Sequence, residues 1–336
     1  MAVVLCALAL LSGVIGAGFA SGREIARFFA GHGAASGAAV LLALLTLYAL
    51  FLRLPAQLEK TGCTSLLELC RARFGRRLGS LCAGLFFLLQ SVTGGAMLAA
   101  CAELFALMMR VQHAYGMGMA LSLLLGALLC WLGIGGLALP GALLTVLLPT
   151  LLLRLYALPA GEACFFPAMA PDLPVRAAAD GVLYGALNAA MLCGALPMLL
   201  SLQKEDRRRA ALLFTALFGA LLLLGAAVCR RHLQAVWEQP LPFVALSREL
   251  GPGGYLLVAL CMYVAALSTL CAMLSGLSRL LPVGRTAGTA LSSCACLLFA
   301  MLGFGTLVQS GYPVLGALCA ALMALLCLPM SAARRA

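Results

Sequence analysis

The stretch Gly13-Val-Ile-Gly-Ala-Gly-Phe-Ala-Ser-Gly22 lies inside the first apolar segment of the chain, directly before Arg23 and Glu24. Each of its four glycines weakens an α-helix by up to about 1 kcal/mol relative to alanine. Glycines also occur where helices simply pack closely, so they leave two interpretations open. The two charged residues favour a functional break, because charges in an apolar span usually mark a cavity, an ion pair or a pathway. We therefore predict an interrupted helix whose unwound backbone lines a polar site.

The composition of the whole chain predicts a membrane protein. Of its 336 residues, 64% are hydrophobic and 10% are charged, whereas soluble domains are about half apolar and a quarter charged. This balance excludes a soluble enzyme. A membrane-spanning helix needs about 20 apolar residues, and the apolar runs suggest about ten spans, at 3–30, 35–55, 78–109, 115–134, 137–157, 178–202, 209–229, 253–278, 286–304 and 312–331. We predict an all-α polytopic protein with one transmembrane domain over residues 1–336.

The net charge of +11 is explained by membrane topology rather than by nucleic-acid binding, because the basic residues form short clusters between apolar runs. Positive residues concentrate in cytoplasmic loops. With both termini cytoplasmic, most of the 22 Lys and Arg residues fall on the cytoplasmic side. The opposite side holds Arg110, Arg176, Arg230, Arg231 and Arg248. The asymmetry predicts an even number of spans and no nucleic-acid partner.

The loop between the second and third predicted spans contains Ser65-Leu-Leu-Glu68, the pattern of a helix capping box. Leu66, Leu69 and Cys70 follow this start amid several arginines. The pattern predicts a short interfacial helix that contacts membrane lipids with anionic headgroups.

A second interruption is predicted half a chain length after the first. The segment from Tyr184 to Pro197 carries Gly185, Asn188 and Gly194 inside an apolar run. Two interrupted spans at corresponding positions indicate an inverted-repeat transporter with a binding site at mid-membrane depth. We therefore predict a five-plus-five inverted repeat with broken first and sixth helices, comprising residues 3–157 and 178–331.

Residues 16–29, Gly-Ala-Gly-Phe-Ala-Ser-Gly-Arg-Glu-Ile-Ala-Arg-Phe-Phe, resemble the signature opening of the YkvI-like membrane proteins. That bacterial family is related to the amino acid–polyamine–organocation transporters, which share the leucine-transporter fold. The resemblance implies this fold and a multi-pass location in a bacterial-type inner (plasma) membrane. It identifies no substrate and leaves the oligomeric state open.

The resemblance also implies where a substrate and a cation would bind. A small-molecule substrate would lie against the unwound stretch, with N–H groups near Ala20, Ser21 and Gly22 available to a carboxylate. The implied substrate residues are Gly16, Gly18, Ala20, Ser21, Gly22, Tyr184 and Asn188. A sodium ion would combine carbonyls near Gly13 and Gly16 with the hydroxyls of Ser268 and Thr269. Hydroxyls in membrane helices often bond to their own backbone instead, so both roles stay open for these two residues. No other cofactor is expected.

Two intramembrane acids, Glu24 and Glu103, are candidates for a role in coupling. Glu103 is instead interpreted mainly as a partner of Arg110 near the outer interface. The fifth predicted span has no lysine, the residue that replaces sodium in some proton-coupled relatives, and this favours sodium coupling.

These features predict a secondary active transporter of a small amino acid or related amine, driven by sodium or protons through alternating access. The alternative is a membrane sensor or interaction protein that reuses the transporter fold without transporting. An intramembrane enzyme is not expected, because the chain contains no HExxH motif, paired intramembrane aspartates or Ser/His arrangement.

Overall fold

The computed structural model describes residues 1–109, 111–132, 138–159, 173–239, 241–281 and 283–328, whose regular secondary structure is helical. The first half comprises α1 (Ala2–Val14), α2 (Ala17–Ala20), α3 (Arg23–Phe28), α4 (Ser36–Thr61), α5 (Leu66–Phe74), α6 (Arg76–Met109), α7 (Ala114–Leu132) and α8 (Ala138–Tyr156). The second half comprises α9 (Leu173–Met191), α10 (Leu196–Leu200), α11 (Lys204–Arg231), α12 (Leu233–Trp237), α13 (Pro242–Ser247), α14 (Gly251–Leu280), α15 (Arg285–Ala300), α16 (Phe304–Thr306) and α17 (Tyr312–Cys327).

Many of these helices are long and apolar enough to cross a membrane. Within the described residues six segments meet that criterion: Ala30–Thr61, Arg76–Met109, Ala114–Trp131, Lys204–Arg231, Pro242–Leu280 and Phe304–Cys327. Two shorter apolar helices, Ala2–Val14 and Pro140–Tyr156, accompany them. The prediction of an all-α membrane protein is confirmed.

Helix α6 lies at the centre of the bundle. Of its most apolar stretch 83% is buried inside the protein, against 28% for α7. It packs against α5, α7, α14 and α15. At Gly95 an added Cβ would lie 2.6 Å from Cβ of Phe299 and 2.9 Å from the backbone nitrogen of Ala300. The absence of a side chain at Gly95 therefore allows α6 and α15 to approach backbone to backbone.

The interrupted first segment is surrounded by other helices. α1 packs against α8, α11 and α14, α2 contacts α6 and α14, and α3 contacts α9 and α11. Residues 12–22 are all buried. The break that the sequence predicts therefore lies inside the protein, where neighbouring helices can satisfy its backbone.

The predicted capping box forms at the start of α5. The Glu68 backbone N–H donates to the Ser65 hydroxyl at 3.2 Å, and the Glu68 carboxylate accepts from the Thr64 backbone N–H at 2.7 Å. This N–H donor holds the pKa of the Glu68 carboxyl below its ordinary value. Leu66 and Leu69 are buried against the bundle, so α5 is a docked helix with a polar outer face.

Candidate functional site

The first helix is interrupted at Ile15 and Gly16. Gly16 has extended backbone (φ −91°, ψ −173°), and its N–H donates to the Val14 carbonyl at 2.8 Å. In a continuous helix that N–H would donate to Ser12. The next N–H, of Ala17, donates to the Met97 sulfur at 3.1 Å instead of to Gly13. The break therefore deprives the Ser12 and Gly13 carbonyls of their helical donors.

Two hydroxyls of α14 face the freed Ser12 carbonyl. Thr269 Oγ1 donates to it at 3.2 Å, and Ser268 Oγ lies 3.4 Å from it while donating to the Ala265 carbonyl at 2.9 Å. A Cβ added to Gly16 would lie 3.3 Å from Thr269 Oγ1. Three of the four residues implied as a sodium site, Gly16, Ser268 and Thr269, thus lie together at the break. Ser12, which sequence reasoning missed, supplies the carbonyl.

Gly13, the fourth residue of that set, lies one position further along α1. A Cβ added there would lie 2.8 Å from the Leu192 side chain. The position that a Gly13 side chain would occupy therefore faces the second interrupted segment rather than the hydroxyls of Ser268 and Thr269. Its carbonyl is available to a ligand only because Ala17 donates elsewhere.

The first segment turns again at Gly22, which has a left-handed backbone (φ 81°) that glycine adopts without strain. The preceding N–H groups were expected to be available for a substrate carboxylate. In the structure, Ala20 N–H donates to the Gly16 carbonyl at 2.8 Å, Ser21 N–H to Ala17 at 2.8 Å and Gly22 N–H to Phe19 at 2.9 Å. This expectation is wrong for the conformation observed, because α2 forms one short helical turn that uses all three donors.

Glu24 follows this turn and folds back over it. Its side chain is buried, and Oε2 accepts a hydrogen bond from the Tyr184 hydroxyl at 3.2 Å. A Cβ added to Gly18 would overlap Oε1 of Glu24. Gly18 therefore leaves room for the carboxylate, and three residues named from the sequence meet at one place.

Buried aromatic rings surround Tyr184, the hydrogen-bond partner of Glu24. The Tyr184 ring centroid lies 5.2 Å from that of Phe28, 4.9 Å from Phe29 and 6.4 Å from Phe218. We call these four residues, with Glu24, the Glu24 cluster. The aromatic members come from α3, α9 and α11 and from the residue that ends α3, so the interruption assembles rings from separate parts of the chain.

Further polar side chains of neighbouring helices have unused hydrogen-bonding capacity. Asn188, one turn after Tyr184, donates to the Tyr184 carbonyl at 2.8 Å, while its Oδ1 is buried without a partner. Tyr312 on α17 neighbours Thr93 on α6. The hydroxyls of both are buried and form no hydrogen bond. Sequence reasoning missed Thr93 and Tyr312, although each lies beside glycine within an apolar helix.

The second predicted interruption is present. α9 ends at Met191, a 3-10 turn covers Leu192–Ala195, and α10 begins at Leu196. A Cβ on Gly194 would lie 2.8 Å from Cα of Gly276 on α14. Gln90, also missed from the sequence, is buried beside this contact, and its Oε1 has no partner.

The other charged residues near the site interact elsewhere. The Arg23 guanidinium donates to the backbone carbonyls of Trp237 at 2.6 Å and Gln239 at 3.1 Å. Glu103 is half-buried beside the backbone of Phe304. Its expected partner, Arg110, lies outside the described residues.

No family model matches this chain, and no curated protein does. Its fold is similar to that of a manganese transporter from Eremococcus coleocola, solved as a single-residue mutant, with a TM-score of 0.67 and 15% identity over 98% of this chain and 80% of that one. It is also similar to a Na⁺-coupled sialic acid symporter in a substrate-bound outward-open state, with a TM-score of 0.66 and 14% identity over 96% and 76%. The chain therefore shares its overall fold with these two transporters.

Proposed function

We propose that this protein is a secondary active transporter of a small amino acid or a related amine, coupled to sodium and working by alternating access. One observation carries the proposal. A buried helix is interrupted so that the Ser12 carbonyl faces two hydroxyls of α14, and the Glu24 carboxylate that follows is buried against Tyr184 of α9. Interrupted helices that present backbone to mid-membrane ligands are the recurring device of such transporters.

The proposed architecture is the five-plus-five repeat. α1–α8 would form the first repeat and α9–α17 the second, in one domain with both termini cytoplasmic in a bacterial-type inner membrane. The interruptions at 15–16 and 192–195 occupy corresponding places near the start of each half. Fold similarity to two transporters supports this arrangement.

The sodium proposal rests on the chemistry of the oxygen donors. The Ser12 carbonyl and the hydroxyls of Ser268 and Thr269 are uncharged hard oxygens, which suit a hard cation. Thr269 is 2% exposed and donates out of its own helix. That geometry differs from the usual bond of a membrane threonine to its own helix, as made by Thr150 to the Val146 carbonyl at 2.9 Å.

Transport of manganese, the metal named for one structural neighbour, has no comparable support. Across the described part of the chain, no group of three or more His, Cys, Asp or Glu residues could hold a metal ion. The hydrogen bond that the Glu24 carboxylate accepts comes from the Tyr184 hydroxyl, whose ring packs against Phe28 and Phe29.

The test is uptake into proteoliposomes. The full-length protein would be reconstituted and supplied with a panel of radiolabelled amino acids and amines, with and without an inward sodium gradient. We expect uptake of at least one compound above that of empty vesicles, accelerated by the gradient. Absence of uptake of every compound in both conditions would refute the proposal and favour a non-transporting sensor.

Two variants, Thr269→Ala and Thr150→Ala, test the proposed cation site. Thr269→Ala removes one ligand oxygen and should raise the sodium concentration for half-maximal uptake about tenfold. Thr150→Ala removes a hydroxyl that bonds only within α8 and should leave sodium dependence unchanged. Equal sodium activation in the two variants would remove Thr269 from the site.

A further inference from the structure

A pair of titratable side chains joins the segment that follows the first interruption to the helix that precedes the second. His32 Nε2 and Asp180 Oδ2 are hydrogen-bonded at 2.9 Å. His32 belongs to the 3-10 segment Ala30–Ala35, and Asp180 belongs to α9. The two side chains are 10% and 22% exposed. The His32–Asp180 pair is therefore shielded from most of the solvent without being sealed from it.

The His32–Asp180 pair lies one turn from the hydrogen bond between Tyr184 and Glu24. On α9, Asp180 precedes Tyr184 by four residues, so both side chains lie on one face of that helix. The ring of Phe29 lies 4.9 Å from the ring of Tyr184, and His32 follows Phe29 three residues later. The chain after the first interruption therefore contacts α9 at two successive levels, one at Tyr184 and one at Asp180.

The backbone around His32 is irregular. Its segment is a 3-10 helix of six residues, a helix type with poorer hydrogen-bond geometry than the α-helix. Gly33 interrupts the segment with a positive φ of 54°, and nothing lies within 4 Å of a Cβ added there. The side-chain bond to Asp180 therefore adds a long-range restraint to a segment that its own backbone holds loosely.

Four helices pack against residues 30–35, namely α3, α4, α9 and α11. The charged residues of α3 face groups other than His32. Glu24 accepts a hydrogen bond from Tyr184. Arg23 donates to backbone carbonyls of the α12 region. Arg27 lies over an aromatic ring, 5.9 Å from its centroid.

The charged residues of the other three helices lie elsewhere or are exposed. On α9, Arg176 is exposed and lies one turn before Asp180. At the end of α11, Arg230 is exposed and Arg231 lies over the ring of a tyrosine. The remaining titratable groups are those at the opposite ends of α4 and α11, with two phenols and a thiol: Arg53, Glu59, Lys60, Lys204, Glu205, Asp206, Arg207, Arg208, Arg209, Tyr48, Tyr184 and Cys229. Among the described groups, Asp180 is therefore the acid that His32 meets.

We propose that the His32–Asp180 pair is a pH-sensitive contact that holds the two interrupted segments together in acid and loosens as the pH rises. Histidine is the side chain whose charge ordinarily changes between about pH 5 and 8. A protonated His32 forms an ion pair with the Asp180 carboxylate, whereas a neutral ring keeps at most a hydrogen bond. The ion pair is therefore present while His32 is protonated and is lost when the ring releases its proton. The proposed topology, which belongs to the proposed function, places the pair on the outer side of the membrane, so that external pH acts on it.

Amide hydrogen exchange of the full-length protein in lipid nanodiscs tests the inference without requiring transport. Exchange of residues 29–36 is followed by mass spectrometry at about pH 5.5 and about pH 8.5, near the two ends of the histidine range, and is corrected for intrinsic rates. The internal reference is α15, which contains no His, Asp or Glu. Relative to α15, we expect the protection of residues 29–36 to be about fivefold or more higher at the acidic pH.

Variants tie the pH dependence to this pair. His32→Gln keeps a hydrogen-bond donor that cannot take up a charge, so the ratio of protection between the two pH values should fall to about one. Asp180→Asn removes the opposite charge and should have the same effect. His113→Asn is the matched control, because it removes an exposed histidine whose φ of 64° asparagine also tolerates. The ratio should be unchanged in His113→Asn.

Three results would overturn the inference: protection of residues 29–36 does not rise in acid, His32→Gln keeps the full ratio, or Asp180→Asn keeps it. Each variant decides separately, and if neither folds, the ratio in the unmodified protein decides. The uptake experiment separates this inference from the proposed function. Uptake with pH-independent protection would preserve transport and refute the pH-sensitive contact. Protection that depends on pH and on His32, without uptake of any compound, would preserve the contact and refute transport.

Discussion

Replacing Gly18 with alanine tests whether the Glu24 carboxylate occupies its observed position. The three atoms nearest to an added Cβ all belong to Glu24, and the carboxylate oxygen would overlap it. Elsewhere the backbone of α2 suits alanine, since Gly18 is helical and no positive φ is recorded for it. The substitution should therefore act on one side chain.

The loss of stability expected from Gly18→Ala follows from the hydrogen bond between Tyr184 and Glu24, which the substitution must break. Moving the Glu24 carboxyl group aside removes its hydrogen bond from Tyr184, and such bonds contribute about 0.5–1.5 kcal/mol between neutral groups and about 1.5–3 kcal/mol to a charged one. When Glu24→Ala has already removed the carboxylate, Gly18→Ala should cost nothing and gain up to about 1 kcal/mol of helix propensity. A double-mutant cycle should therefore give a coupling energy of about 0.5–3 kcal/mol between the two positions.

The assay is reversible unfolding of the four cycle members by denaturing detergent, followed by circular dichroism. Gly37→Ala is the matched control, because nothing lies within 4 Å of a Cβ added there. Gly37→Ala should be neutral or stabilising both in the unmodified protein and in the Glu24→Ala variant. Equal destabilisation by Gly18→Ala with and without the Glu24 carboxylate would refute the position of the carboxylate.

Two further predictions concern regions outside the site. Arg207→Ala should destabilise the protein by about 1–3 kcal/mol in the same detergent titration. The reason is that the buried guanidinium donates to the Leu199 carbonyl at 3.0 Å and the Leu202 carbonyl at 3.2 Å. Unchanged stability of Arg207→Ala would contradict the stabilising role of these two hydrogen bonds. The Glu68 pKa is lowered by folding, so its contribution to α5 is present above its unfolded pKa and is lost as pH falls through its folded pKa. Amide hydrogen exchange in α5, corrected for intrinsic rates, should lose protection on acidification, and Glu68→Gln should abolish this pH dependence. An unchanged pH profile in that variant would refute the capping role.

Several parts of the site were predictable because they follow from local chemistry. Glycines cluster where the first helix breaks, and the break occurs at Gly16 and Gly22. Tyr184 and Asn188, which the family resemblance implied in one site, are joined by a hydrogen bond across one helical turn. The capping box at Ser65 likewise depends on residues close in sequence.

The residues that were missed depend on contacts distant in sequence. Ser12 matters only because Gly16 turns its N–H away, which leaves a carbonyl for α14. Thr93 and Tyr312 resemble ordinary polar residues of membrane helices until α6 and α17 bring them beside each other. The expected role of the N–H groups at Ala20–Gly22 failed because the length of α2 could not be deduced from glycine content.

The amino-acid sequence by itself determined that this chain is a helical membrane protein and where its first helix is interrupted, because apolar run length and glycine content act within a few neighbouring residues. Only the tertiary structure decided what the interruption faces. Hydroxyls from α14, rings from α9 and α11 and the folded-back Glu24 meet there through packing between segments up to 257 positions apart. Such packing depends on the shapes of whole helices, which no local pattern of residues specifies.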